Sequence, residues 1–172
     1  MRAMFLALAL TLFALQVSAQ QTTEWIAAEG TGCRIWNPYP DPGESVTWSG
    51  GCRNGLAQGR GSLQWSKNGK KIDRFEGEFL DGKRNGQGIY SSRNGYRYEG
   101  AYRNDQRNGF GVVTYDSGAR FEGQWRDNKA NGQGTYKAAN GQTFSGMWTN
   151  GCFRQGDRRA NVGSTAKDCG FE

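Results

Sequence analysis

The sequence predicts an all-β chain: an elongated, twisted antiparallel meander of stacked hairpin repeats, each about 23 residues long, with disulfide-pinned terminal caps. Three observations predict it. An aromatic–x–glycine signal recurs in steps of 27, 23, 23 and 23 residues. Turn dipeptides rich in glycine and asparagine recur in the same register. The four cysteines, Cys33, Cys52, Cys152 and Cys169, lie towards the two ends of the repeated region.

The first 19 residues read as a secretory signal peptide cut before Gln20. Arg2 is a short positive start, Ala3 to Leu15 is apolar apart from Thr11, and Val17-Ser18-Ala19 offers small residues for cleavage. The apolar run holds 13 residues, against about 20 needed to span a bilayer. No later stretch is apolar enough to span, so no transmembrane segment is expected after cleavage. The expected location is periplasmic or secreted.

Residues 20–45 are expected to form an N-terminal cap or loop. The segment holds all three prolines, Pro38, Pro40 and Pro42, and proline cannot join a central strand ladder.

The repeats fill residues 46–156. Trp48-Ser49-Gly50, Phe75-Glu76-Gly77, Tyr98-Glu99-Gly100, Phe121-Glu122-Gly123 and Phe144-Ser145-Gly146 align, giving units that start near 48, 75, 98 and 121 and a partial one near 144. A second aromatic follows two residues after the glycine in four of them: Phe79, Tyr102, Trp125 and Trp148. Cys52 takes that place in the first. Glycine pairs follow at Gly59/Gly61, Gly86/Gly88, Gly109/Gly111 and Gly132/Gly134. Closing turns follow at Asn68-Gly69, Asn94-Gly95, Ser117-Gly118 and Asn140-Gly141. The four extra residues of the first unit fall around Lys70 to Asp73, where an insertion beside a turn is cheap.

Alternation assigns the faces. Phe75, Gly77 and Phe79 fall on one face of a strand, and Arg74, Glu76 and Glu78 on the other. Glycine between two rings leaves room for a ring to lie over the backbone. The stretch Asp81 to Gly86 reads as turn chemistry. One such hairpin cannot bury its face alone, whereas stacked neighbours can. After the leader the chain keeps only 11 Ile, Leu and Val but 20 Phe, Tyr and Trp, so the core must be aromatic.

This pattern resembles the MORN-repeat family. Three full units at 75–141, a divergent one at 48–69 and the partial one at 144–156 carry the resemblance. It implies a β-hairpin array with a non-catalytic binding or scaffolding role, and membrane-lipid association as one suggestion. It implies no particular ligand. Together with the leader it points to an exported bacterial envelope protein.

Residues 157–172 are expected to form a C-terminal cap or tail. Four cysteines allow three connectivities. The cap reading takes the local pairs, Cys33–Cys52 and Cys152–Cys169, each joining a flank to the first or last repeat. Closing loops of this length contributes roughly 3 kcal/mol each in the chain-entropy picture. The cysteine spacing and the lack of histidine speak against a metal site, and no cofactor is expected.

Without histidine the common general base and the Ser/His/Asp arrangement are absent, and the chain is expected not to be an enzyme. Glu76, Glu99 and Glu122 recur at one position, but each follows an arginine by two residues on the solvent face, as an exposed ion pair would. Binding is the better expectation. Lys83, Arg84, Arg103, Arg107, Arg126 and Lys129 collect near the turns and give a candidate basic edge for an anionic envelope lipid or polysaccharide. A protein partner is the other expectation, and open array ends make a homodimer a further one. Nucleic acid is not expected for an exported chain. The alternative class is a glycan-binding module, with Tyr102, Trp125 and Trp148 exposed in a row to stack on sugar rings.

Overall fold

A computed structural model describes residues 24–171. The expected leader lies outside them. The described chain is all β, as the repeat predicts.

Three short strands open the chain: β1 (Trp25–Ala27), β2 (Arg34–Trp36) and β3 (Glu44–Trp48). The segment before the repeats is therefore not only loop. β1 and β2 form a small antiparallel hairpin, and the prolines occupy the link from β2 to β3. β4 (Gly51–Arg53) and β3 both pair with one edge of the long β5 (Leu56–Lys67).

From β5 the chain runs up and down in neighbouring strands. These are β6 (Lys70–Leu80), β7 (Lys83–Ser92), β8 (Arg97–Arg103), β9 (Gln106–Thr114), β10 (Arg120–Arg126), β11 (Lys129–Lys137) and β12 (Thr143–Trp148). A separate hairpin, β13 (Cys152–Gln155) and β14 (Arg158–Asn161), ends it. The four extra residues of the first unit do not loop out. They lengthen β5 and β6 around the Asn68-Gly69 turn, with a register shift between Gln64 and Ser66.

Two kinds of turn alternate. Within each unit the connection is a two-residue turn with both residues at positive φ: Asn54-Gly55, Asp81-Gly82, Asn104-Asp105, Asp127-Asn128 and Asn150-Gly151. The turn expected over Asp81 to Gly86 is therefore only Asp81-Gly82. Lys83 and Arg84 already belong to β7. Between units, Gly95, Gly118 and Gly141 follow a tight turn at positive φ, donating to Ser92, Tyr115 and Ala138.

Each of the last four two-residue turns is stitched to the unit before it by one backbone bond. The amides of Gly82, Asp105, Asn128 and Gly151 donate to the carbonyls of Ala57, Arg84, Arg107 and Ala130. The caps continue the scheme: Arg34 N donates to Gly55 O, and Val162 N to Gly151 O. They also explain the two glycines in this series. A Cβ on Gly82 would lie 2.6 Å from the Trp25 ring, and one on Gly151 would lie 2.8 Å from Val162 O. Asp105 and Asn128 fill the same place in the other two turns and carry side chains.

A row of glycines crosses the sheet, one per strand: Gly61, Gly77, Gly88, Gly100, Gly111, Gly123, Gly134 and Gly146 face one another in register. The first ring of each unit lies across this row. Phe75 covers Gly88, Tyr98 covers Gly111 and Phe121 covers Gly134. The other glycine of each pair, at Gly86, Gly109 and Gly132, has positive φ and sits opposite Tyr102, Trp125 and Trp148.

The rings form a chain of edge-to-face contacts through the units. Trp48–Phe79, Phe79–Phe75, Phe75–Tyr102, Tyr102–Tyr98, Tyr98–Trp125, Trp125–Phe121 and Phe121–Trp148 have centroids 4.7–5.5 Å apart. Such pairs add about 0.5–1.5 kcal/mol each beyond area burial. Polar tips are satisfied: Trp125 and Trp148 Nε1 donate to the Gly111 and Gly134 carbonyls at 3.1 Å. This one-face core replaces the aliphatic core that the composition lacks.

Both caps carry the expected local disulfides, Cys33–Cys52 and Cys152–Cys169, with Cα atoms 5.8 and 5.6 Å apart. The outer edge of β12 is partly closed, because the Arg158 guanidinium donates to the Thr143 carbonyl.

Candidate functional site

The structure overturns one alternative first. Tyr102, Trp125 and Trp148 are 5%, 3% and 1% exposed, so they are core rings and offer no stacking surface to a glycan. The recurring carboxylates lie where alternation puts them. Glu76 pairs with Arg74, Glu99 with Arg97 at 2.7 Å and Glu122 with Arg120 at 2.6 Å, all with side chains about half exposed.

The basic positions divide. Arg103, Arg126 and Lys129 flank the two-residue turns and are exposed. Lys83 lies over the Trp36 ring, 4.3 Å from its centroid. Arg84 and Arg107 do not belong to an edge at all. Each stands directly across a turn from a core ring, Arg84 from Phe79 and Arg107 from Tyr102, and so shares the aromatic face.

Arg84 is held by Asp105, with Nε–Oδ1 2.7 Å and Nη2–Oδ2 2.8 Å. Its guanidinium stands 5.1 Å from the Tyr102 ring centroid. Burial works against this charge; Asp105 outweighs it and holds the pKa above the ordinary value. Arg107 occupies the same place one unit on, 4.5 Å from the Trp125 centroid. Asn128 stands where Asp105 did. Arg107 donates from Nη2 to Asn128 O at 2.9 Å and from Nη1 to Tyr96 OH at 2.6 Å.

A second ring row flanks the core row on the same face. Trp65, Tyr90, Tyr96, Tyr115 and Tyr136 are half-buried rather than buried. The first four form edge contacts with centroids 6.4, 5.9 and 5.7 Å apart. Sequence reasoning followed the rings beside the first glycine and missed this row. Its signal was the aromatic two residues after Gly88 and Gly134, Tyr90 and Tyr136.

The row floors a trough that runs between the caps. At the N-terminal end a cleft of about 590 Å³ lies among Trp36, Tyr39, Trp65, Arg84 and Tyr90. A pocket of about 190 Å³ follows between Arg84 and Arg107. At the C-terminal end a cleft of about 710 Å³ opens between Tyr96, Tyr115, Tyr136 and the cap loop at 161–168. Adjoining sections share residues: Arg84 and Tyr90 between the first two, Tyr96 and Arg107 between the last two.

Burial raises the phenol pKa values here. Tyr102 and Tyr115 are pushed up to about 12, Tyr102 against the pull of Arg84 and Arg107. Tyr90, Tyr96 and Tyr98 are also raised by burial. A raised phenol pKa means that ionisation weakens the folded state. The stabilisation is complete below the unfolded value of about 10 and is lost as pH climbs from about 10 towards 12. Tyrosinate absorbance is therefore expected to rise together with loss of near-ultraviolet circular dichroism in that window. Ionisation of all the tyrosines near pH 10 in a still-folded chain would contradict it.

Stacked hairpins, a one-face aromatic core and an open trough define a repeat protein of the binding or scaffolding class. A family model for the MORN repeat matches residues 47–70, 75–95, 98–120 and 121–143. These matches take in more than half of the chain, and the chain belongs to the MORN-repeat family. No curated protein matches it. Two disulfides fit an oxidising, non-cytoplasmic compartment. No helix among the described residues is long and apolar enough to cross a membrane.

Proposed function

We propose that the protein is an exported, non-enzymatic binding module or scaffold of a bacterial envelope, working in the periplasm or outside the cell. Its occupant is a protein or an anionic envelope component. The observation that supports this reading is the trough: a row of half-buried rings lies open between two disulfide-pinned caps. Arg103, Arg126 and Lys129 add exposed positive charge at the two-residue turns.

Crosslinking of intact cells followed by mass spectrometry tests the reading. The wild-type chain is expected to capture a reproducible envelope partner that Tyr115→Ala loses. Identical crosslink patterns for both chains would exclude the trough as the contact. Flotation with anionic vesicles tests the lipid arm; no flotation at low salt would remove it.

A further inference from the structure

Among the described residues the trough holds one cation, Arg107, that no carboxylate neutralises. Arg84 and Arg107 are equivalent positions in successive units. Arg84 faces Asp105, a carboxylate; Arg107 faces Asn128, an amide. Among the described residues Arg107 pairs with no carboxylate. Nε donates to Asn128 Oδ1, Nη1 to Tyr96 OH and Nη2 to Asn128 O. A guanidinium has five N–H donors, so among the described residues one hydrogen on Nη1 and one on Nη2 have no protein acceptor. The charge rests on the Trp125 ring, which favours it without cancelling it. A partly buried cation in this state favours an incoming anion such as a carboxylate, which accepts charge-assisted hydrogen bonds from its N–H groups.

The space is present. The pocket of about 190 Å³ lies between the two guanidinium groups, with Tyr90, Tyr96, Tyr102 and Asn128 as its other walls. It has room for a small oxyanion group and not for a whole ligand. The rest of the ligand must lie in the adjoining cleft. That cleft is walled by Tyr115 and Tyr136 and by short polar side chains, among them Asp116, Asn161, Ser164 and Asp168. Rings with amides, hydroxyls and carboxylates around them suit the apolar faces and hydroxyls of sugar rings. A peptide side chain would want a deep apolar anchor pocket, and this cleft has none. Asp116 and Asp168 also disfavour a chain charged on every residue.

We propose that this site binds an acidic saccharide with isolated carboxylates between neutral rings. The carboxylate enters the pocket at Arg107 and the neighbouring neutral ring lies on the tyrosines beneath the C-terminal cap. The proposal rests on the binding-module reading and names a ligand class for it. Its stacking rings, Tyr115 and Tyr136, belong to the half-buried row and not to the core row of Tyr102, Trp125 and Trp148.

Titration of intrinsic fluorescence at low salt tests it, with a hyaluronate tetrasaccharide as the alternating probe. The full-length mature protein is expected to bind it at least about tenfold more tightly than neutral chitotetraose, the size of one charge-assisted hydrogen-bonded contact. Tetragalacturonate, charged on every ring, is expected to bind more weakly than the alternating probe. Asn128→Asp reproduces a pair that the fold already contains at Arg84–Asp105, so it keeps the fold. It is expected to bring hyaluronate binding down to the chitotetraose level. Equal binding of the neutral and alternating probes, or no effect of Asn128→Asp, would overturn the proposal. So would equally tight binding of a glutamate-containing peptide of similar length. A captured envelope protein with no saccharide binding would overturn this site and leave the broader reading standing.

Discussion

Replacing Phe121 by alanine is expected to lower stability by about 4 kcal/mol, near the upper part of the range for a buried aromatic. Phe121 is 0% exposed. It meets Trp125 of its own unit at 5.2 Å and Trp148 of the next at 5.1 Å, so its loss opens both an intra-unit and an inter-unit contact. It also covers Gly134, a residue with no side chain to move into the space. The cavity therefore cannot collapse, which is the condition for a large effect. Urea unfolding followed by tryptophan fluorescence reads the change. Phe110→Ala is the comparison, because Phe110 is 52% exposed and outside the core, and it is expected to shift stability by less than about 0.5 kcal/mol. Equal shifts for the two variants would contradict the ring chain as the source of stability.

Adding a single methyl group should be nearly as damaging. Gly123→Ala is expected to cost about 3 kcal/mol, at the high end for overpacking. A Cβ there would stand 2.5 Å from Gly134 Cα, 2.6 Å from Gln133 O and 2.9 Å from Phe121 Cζ. Two of these three atoms are backbone of the neighbouring strand, which can move only by breaking the ladder. The φ of Gly123 is ordinary, so the penalty is steric and not conformational. Gly51→Ala separates the effects. The nearest atom to a Cβ there is Gln58 O at 3.4 Å, and a change of a few tenths of a kcal/mol is expected. If Gly123→Ala were equally silent, the glycine row would be a propensity feature and not a packing one.

The repeated part of the fold was legible because its physics is repeated. The Phe75–Gly77–Phe79 alternation gave the faces, and the paired carboxylates of Glu99 and Glu122 followed from it. The flanks were not legible to the same depth. β1 and β2 are three residues each, and their place depends on distant bonds such as Trp36 N to Gly82 O. No local pattern encodes that contact. The site failed on a turn. Reading Asp81 to Gly86 as one long turn put Lys83 and Arg84 on an edge. The two-residue turn at Asp81-Gly82 makes Arg84 the partner of Phe79 and turns it inward. The same step turns Arg107 inward opposite Tyr102. The core rings were mistaken for a possible surface because alternation tells which face a ring shares, not which face meets water.

The stitch between successive turns has a consequence for how such chains change length over generations. Asp105 to Arg84 and Asn128 to Arg107 are the same bond made one unit apart, and the caps make their own versions of it at Gly55 and Gly151. Neither cap senses how many units lie between them. An in-frame duplication of residues 98–120 would copy a complete piece, with its own ring, glycine pair and stitch. The trough would gain two strand spacings, roughly 10 Å, without a new kind of contact. Reach is thus a quantity that a single genetic event can reset, while the termini that keep the array from propagating stay as they are.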